Sequence, residues 1–273
     1  MSKIWFITGS SRGLGRQFTK AALERGDKVA ATARNTDSLA DLVAAHGDAI
    51  LPLTLDVTDK AAAFAAVRRA HEHFGRLDVV VNSAGYGQFG AIEELTERHA
   101  RDAMEVNFYG PLWVTQAVLP VMRAQGSGHI VQISSVGGVV AFPFVGSDAA
   151  AMWALEGLTD SLAQEVAGFG IKVTLVEPGR FATDWFTSAD FPERLPAYEE
   201  LHAAVDATYD AVSKGDPAAV GPAMLKLVDA ENPPLRIFFG DFPLHLVPQA
   251  YAERLKTWQE WADVATQAQG EAA

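Results

Sequence analysis

Lys3-Ile4-Trp5-Phe6-Ile7-Thr8-Gly9-Ser10-Ser11-Arg12-Gly13-Leu14-Gly15 lies at the head of the chain, and its reading decides the fold. An apolar run, Lys3–Thr8, leads into three glycines, and a helical pattern, Leu14–Glu24, follows without a break. Strand, glycine turn and helix in succession make the first half of a βαβ unit. The glycines divide the work: Gly9 for a tight turn, Gly13 for approach of a phosphate to the backbone, Gly15 for close helix–strand packing. Free N–H groups and the positive end of the helix then face an anion, so Gly9 to Gly15, with Ser11, Arg12 and Leu14, reads as a pyrophosphate cradle. A plain glycine-rich turn is the competing reading, and the placement inside a βαβ unit weighs against it.

Outward from this stretch the pattern alternates. Strand-like Lys28–Ala33, Ile50–Leu55, Asp78–Val81, Ile130–Ser134 and Ile171–Val176 are separated by helical Ser38–His46, Ala61–Phe74, Arg98–Arg123 and Ala149–Val166. The strands are near-continuous apolar runs, as expected when helices cover both faces of a parallel sheet. The expectation is a Rossmann-type, doubly wound α/β fold, one domain over residues 1–273. Gly26 and Gly170 stand where helices should end before the next strand. Beyond Pro178 the pattern predicts helices Phe191–Lys214 and Pro217–Ala230, a last strand Leu235–Phe239 and a closing helix Pro248–Gln267. Residues 184–230 are read as a substrate lid and 267–273 as a frayed tail. Aromatic residues crowd this part, and Phe181 to Phe191 are the best candidates for a mobile cover over an apolar pocket.

The chain has 22 Lys and Arg against 34 Asp and Glu, a formal charge of −12, which argues against nucleic acid as a partner. It has no cysteine, so disulfides, thiol nucleophiles and thiolate zinc sites are excluded. The seven histidines show no metal-ligand spacing, and no metal is expected. No signal peptide or membrane span can be read, so a soluble, cytoplasmic protein acting on a small molecule is expected.

Further landmarks follow the glycine loop in order. Asp56-Val57 follows the third strand, and Asn82-Ser83-Ala84-Gly85 the fourth. Asn107 stands in Val106-Asn107-Phe108, Ser135 in Ile133-Ser134-Ser135, and Pro178-Gly179-Arg180-Phe181-Ala182-Thr183 closes the sixth strand. Together these closely resemble the short-chain dehydrogenase/reductase family, from about Lys3 to Trp261. Glu156-Gly157-Leu158 and Glu231-Asn232-Pro233-Pro234 are similar to the branch with bacterial relatives of retinol and hydroxysteroid dehydrogenases. The resemblance implies hydride transfer with a nicotinamide dinucleotide. It implies cofactor contacts from Asp56, Val57, Asn82, Ala84, Gly85, Pro178, Gly179, Phe181 and Thr183. Catalytic roles fall to Asn107 and Ser135. The helices Arg98–Arg123 and Ala149–Val166 would pair subunits as a homodimer or homotetramer.

The second strand ends Ala31-Thr32-Ala33-Arg34, without the acid that would hold a ribose 2′-hydroxyl. Arg34 and Arg12 can meet a 2′-phosphate instead, so NADP(H) is the expected cofactor. Solvated surface arginines are the alternative.

One landmark is missing. The family's Tyr-x-x-x-Lys should begin thirteen residues after Ser135, yet the chain there reads Asp148-Ala149-Ala150-Ala151-Met152. Positioned acid catalysis is worth about 10²–10⁴ in rate, so the loss puts ordinary carbonyl chemistry in doubt. In the first turn of a helix Asp148 is expected to stay ionised. A carboxylate beside the acceptor disfavours an oxyanion and favours a cation, which points to an imine or iminium acceptor, bulky and apolar. Asp148 as a helix cap and Met152 as core filler is the plainer reading. Trp153, Arg180, Trp185 and Phe186 are the candidate pocket residues, with Arg180 pairing with Asp148, binding an acidic substrate group, or facing solvent. Two other functions stay open: a non-catalytic NADP(H)-binding sensor or partner subunit, and a ketone or alcohol enzyme whose catalytic pair was lost.

Overall fold

A computed structural model describes residues 2–270. Seven strands form one parallel sheet: β1 (Ile4–Ile7), β2 (Lys28–Ala33), β3 (Ile50–Thr54), β4 (Val79–Asn82), β5 (Gly128–Ile133), β6 (Ile171–Pro178) and β7 (Arg236–Phe239). Their order is β3-β2-β1-β4-β5-β6-β7, all pairs parallel, with Ile7 level with Val81 across β1 and β4. The order reverses between β1 and β4, which opens a crevice at their carboxyl ends. The Rossmann-type expectation holds.

The helices are α1 (Gly13–Glu24), α2 (Ala40–His46), α3 (Lys60–Phe74), α4 (Glu97–Met104), α5 (Gly110–Gln125), α6 (Gly146–Val166), α7 (Glu199–Ala211), α8 (Val220–Asp229), α9 (Phe242–Glu260) and α10 (Ala262–Gln269). Alternate residues of β1 explain the two layers. Ile4 and Phe6 join the core with Val67 of α3, Val118 of α5 and Leu162 of α6, while Trp5 and Ile7 join that of Phe18 in α1 and Met224 in α8. A strand's side chains point to opposite faces, so a fully apolar strand must be buried on both. Gly26 and Gly170 have positive φ, +90° and +70°, as helix-terminating glycines require.

Several expectations need correction. The long helix expected over Arg98–Arg123 is two helices, α4 and α5, joined by a π-helical turn, Glu105–Tyr109, that holds Asn107. A period-3.6 pattern does not reveal one inserted residue, and such turns gather at functional sites. The expected helix Phe191–Lys214 shortens to α7, since Pro192 and Pro196 keep the helix from starting earlier: Leu195 is extended, and Pro196 opens a short 3-10 turn, Pro196–Tyr198, that leads into α7. Residues 184–230 are not all lid: α8 lies on α1, with Gly221 so near that a Cβ would meet Ala21 Cβ at 2.7 Å. The closing helix starts at Phe242 rather than Pro248, and Gln267–Gln269 are helical, whereas residues 271–273 of the expected tail lie outside the described residues. Among the described residues no helix is long and apolar enough to cross a membrane.

Candidate active site

The crevice has a floor made of backbone. Gly9 has φ +69°, and a Cβ there would stand 2.8 Å from Ala84 Cα. A Cβ on Gly15 would stand 2.5 Å from Gly9 O, so helix, loop and β4 turn are in direct backbone contact. Thr8 Oγ1 accepts from the N–H groups of both Ser83 and Ala84 at 2.9 and 3.0 Å, fixing that turn. Gly13 differs: a Cβ there would meet only the Thr183 side chain, at 3.9 Å, an ordinary van der Waals distance. The glycine loop and the segment after β6 therefore face each other across the carboxyl end of the sheet, where the strand order reverses. Arg12, at the N-terminus of α1, and Arg34, after β2, are exposed and make no ion pair among the described residues. Asp56 is exposed and bound to Thr58, while Val57 is buried against Gly110.

Other expected contacts sit differently. Asn82 is buried, and its amide donates to Gln132 Oε1 at 2.8 Å, tying β4 to β5, so its side chain faces the sheet rather than the cleft. The Phe181 ring packs against Gly215 and Gly240, leaving its backbone to the cleft side. Gly179 N–H donates to Phe239 O at 2.9 Å, which anchors the Pro178-Gly179 turn on β7.

Across the cleft Asn107 is the organiser. Its Oδ1 accepts from Tyr86 N at 2.9 Å, and its Nδ2 donates to Tyr86 O at 2.8 Å and to Asp148 Oδ1 at 3.1 Å. The Tyr86 backbone thus fixes the amide's orientation and leaves one donor for Asp148. The second Asp148 oxygen makes no hydrogen bond among the described residues. Asp148 is 4% exposed, and burial pushes its carboxyl up to about 7, against the opposing pull of the Asn107 amide. The expectation of a permanently ionised acid is overturned: desolvation outweighs the helix's first-turn field. Nor does Asp148 cap the helix, because the N-cap position is Val145. Met152, one turn on, is buried beside it in α6. Ser135 stands two residues beyond β5 and caps the short turn Val136–Gly138; its Oγ accepts from Gly137 N at 3.0 Å, leaving its hydroxyl proton free to donate.

Two expected pocket residues belong elsewhere. Trp153 points to the opposite side of α6 from Asp148; its indole donates to Gly137 O at 3.0 Å and lies under Arg254 at 5.1 Å. Arg180 neither pairs with Asp148 nor faces solvent. Its guanidinium donates to the carbonyls of Tyr209 and of Val212 (2.9 Å) and stacks 3.8 Å above the Tyr209 ring. A cation at the carbonyl end of α7 is favourable, so Arg180 clasps the lid helix.

Trp185 and Phe186 do form part of a cover, packed on Phe89, with centroids 5.4 and 5.0 Å away. Phe191 stacks on the same ring at 5.2 Å, and Tyr209 on Phe186 at 4.8 Å. Backbone bonds from Phe89 N to Asp190 O (3.1 Å) and Asp190 N to Gly87 O (2.9 Å) seal the cover to the segment after β4. Tyr86 went unnoticed in the sequence. Its hydroxyl meets Asp190 Oδ2 at 3.1 Å, and burial, helped by Asp190, pushes it up to about 12, so it holds the cover rather than supplying protons. Its place directly after Asn82-Ser83-Ala84-Gly85 was the available signal. Among the described residues no cluster of three or more His, Cys, Asp or Glu could hold a metal ion.

Comparison with known proteins agrees with this geometry. Residues 3–193 match the short chain dehydrogenase family. The chain is 40% identical over 272 residues to Oxidoreductase BOA17 of Botryotinia fuckeliana, covering 97% of this chain and 98% of that one. It is 34% identical over 243 residues to a 3-ketodihydrosphingosine reductase of Bacteroides thetaiotaomicron, covering 87% and 88%. The crystal structure of a short-chain dehydrogenase from Streptomyces avermitilis superposes with a TM-score of 0.92 at 40% identity, covering 98% and 99%. With its parallel sheet, its glycine loop at the β1–β4 crevice and a family match running from Lys3 into the lid, the chain belongs to the short chain dehydrogenase family of oxidoreductases.

Proposed function

We propose that this protein is an NADP(H)-dependent reductase of C=N bonds in bulky, apolar substrates, with Asp148 as the group that delivers the proton. The observation that carries the reading is the state of Asp148: buried, held at one oxygen by Asn107, and raised to about 7. A carboxyl with that affinity is matched to an imine nitrogen, because general acids work best when their pKa lies near the operating pH.

The residues fit the cofactor. Gly13 stands opposite Thr183 with no backbone crowding it, Gly9 and Gly15 bring loop, helix and β4 turn together, and Asp56, Val57, Ala84, Gly85 and Pro178–Phe181 are the further contacts. Arg12 and Arg34 support a 2′-phosphate, since β2 ends without an acid and both guanidinium groups are exposed. Bound reduced cofactor supplies a hydride. Asp148 gives its proton from the free oxygen to the imine nitrogen, and the resulting carboxylate faces the cation it has made. With hydride added at carbon, the π pair of the C=N bond becomes the lone pair of nitrogen, and the product is the neutral amine whose N–H proton came from Asp148. Asn107 stabilises the carboxylate, and Ser135 offers a hydrogen bond to the substrate. The aromatic cover of Phe89, Trp185, Phe186 and Phe191 excludes water, which strengthens the charge pairing.

A neutral carboxyl can also donate to a carbonyl oxygen, and the Bacteroides relative carries the name of a ketone reductase, so ketone reduction is the second reading. For assembly we propose a homodimer or homotetramer through α5 and α6, where Ala150, Trp153 and Gly157 are exposed. Single-turnover oxidation of NADPH with a bulky cyclic imine tests the function. The expected result is hydride transfer that Asp148→Asn slows by about 10²-fold or more. Tight NADPH binding without oxidation by imine or ketone would leave a cofactor-binding protein only.

A further inference from the structure

The lid helix meets the segment ahead of Asp148 where His202 stacks on Phe144, and the backbone there is unusual. Phe144 is the single described residue other than glycine with positive φ, at +65°. It stands four residues before Asp148, immediately ahead of Val145, whose carbonyl accepts the Ala149 N–H at 2.7 Å in the first turn of α6. An L-residue keeps this conformation only where its surroundings hold it, and such positions gather at functional sites. Three contacts hold this one. Its carbonyl accepts from Gly90 N at 2.8 Å. Gly146, two residues on, is so near Ile92 that a Cβ would stand 2.5 Å from Ile92 Cδ1. The Phe144 ring lies 3.9 Å from the imidazole of His202 in α7, nearly parallel at 10°.

His202 is itself pinned. Its Nε2 lies 2.9 and 3.0 Å from the two oxygens of Glu94, whose side chain is fully buried. Glu94 also accepts from Ala91 N at 2.7 Å and from Leu195 N at 2.8 Å. These bonds hold its carboxyl below the usual range despite burial, so it is the anion in this pair. One carboxylate therefore ties together the segment after β4, the approach to the lid and the lid helix. A buried histidine–carboxylate pair is costly to build and adds little net stability, which makes a specific geometry the better reason for it. Neither residue lies among the groups of the catalytic cleft described above.

We propose that His202, held by Glu94, is a positioning residue: by stacking on Phe144 it fixes the segment 142–147 and thereby keeps Asp148 buried only while the lid is shut. The inference rests on the reading of Asp148 as the reacting acid, and it extends that reading by making the acid's state depend on the lid. An open lid frees Phe144, lets water reach Asp148 and returns it to an ordinary carboxylate. A closed lid restores the acid.

Infrared titration tests this without any turnover. The Asp148 carboxyl band is isolated by subtracting the spectrum of Asp148→Asn, for the wild type and for each variant made in both backgrounds. Phe144→Gly removes the ring and suits the positive φ, so it should fold, and His202→Ala removes the partner. Both should lower the midpoint of Asp148 by at least about one pH unit through hydration of the carboxyl. His202→Phe, which restores a ring against Phe144, should keep the wild-type midpoint. An unmoved midpoint in folded Phe144→Gly overturns the proposal, as does a His202→Phe midpoint as low as that of His202→Ala. The wild-type midpoint separates the two readings: a value near 4 would sink the role of Asp148 and the positioning with it, whereas a raised midpoint that the variants leave unmoved would sink the positioning alone.

Discussion

The two walls of the cleft are built on opposite principles. On the glycine-loop wall the backbone is the functional surface: a Cβ on Gly9 or Gly15 would stand only 2.8 or 2.5 Å from other backbone atoms, and Arg12 and Arg34 wait in solvent. On the α6 wall the functional surface is one side chain, Asp148, removed from solvent and answered by a single amide. The first wall follows the landmarks that the sequence resemblance implies, and the second carries Asp148 and Met152 where that resemblance implies a tyrosine and a lysine. A site made of backbone admits few sequences, whereas a site made by burying an acid is defined by what surrounds it. Change in chemistry is therefore easiest on the second wall, with the first left intact.

The sharpest way to break that contrast is to rebuild the second wall. Asp148→Tyr with Met152→Lys should raise ketone reduction with NADPH by about 10²–10⁴-fold and suppress reduction of cationic acceptors, because a phenol activated by a neighbouring lysine replaces the acid. Steady-state rates on bulky ketones and cyclic iminium ions measure both. If the folded double variant binds NADPH and reduces no ketone, more of the pocket differs than these two positions.

The next effect is thermodynamic. Asp148 and Glu177 are both raised to about 7 by burial, Glu177 also by the neighbouring Glu156. A carboxyl whose folded pKa is raised holds its proton more tightly when folded. The stability it contributes is complete below about pH 4 and lost as pH rises through about 7. Urea unfolding should show a loss of a few kcal/mol between pH 5 and pH 8. The carboxyls held low, Glu94, Asp190 and Asp229, act below that window. Asp148→Asn should be more stable than wild type at pH 8 and flatten the profile, and equal slopes in both proteins would contradict burial of the acid.

The first wall should respond to volume instead. Gly15→Ala drives a methyl into Gly9 O and should cost about 1–3 kcal/mol in stability and weaken NADPH binding, with turnover per bound cofactor unchanged. The smallest effect is on cofactor choice. Arg34→Ala should weaken NADPH binding about tenfold, the scale of one charged hydrogen bond, and leave NADH binding alone. Calorimetric titration with both cofactors checks it, and equal losses would mean that Arg34 does not meet a 2′-phosphate.

The first wall was legible in the sequence because its requirement is local. Three glycines between a strand and a helix state a backbone geometry directly, and the alternation of strands and helices gave the sheet around it. Asp148 and Met152 also stand out in the sequence, at the positions where the resemblance implies a tyrosine and a lysine. The protonation of Asp148 does not. It depends on burial in the folded chain, beside an Asn107 amide that the Tyr86 backbone holds in place, and no spacing along the chain announces it. Arg180 shows the same limit, because its partners are carbonyls of Tyr209 and Val212, which carry no side-chain signature. Tyr86 had its place after Gly85 as a signal, but His202 and Glu94 could not be singled out, since a pair 108 residues apart in the chain carries no motif.

The most direct test compares two acceptors over pH 5.5 to 8.5, in single turnovers with saturating NADPH: a neutral cyclic imine and its permanently charged N-methyl iminium. The neutral imine needs the proton of Asp148, so its rate should fall as pH rises through about 7. The iminium ion needs the carboxylate, so its rate should rise through the same range. Asp148→Asn should flatten both profiles. Parallel profiles for the two acceptors, or profiles that Asp148→Asn leaves unchanged, would contradict the account.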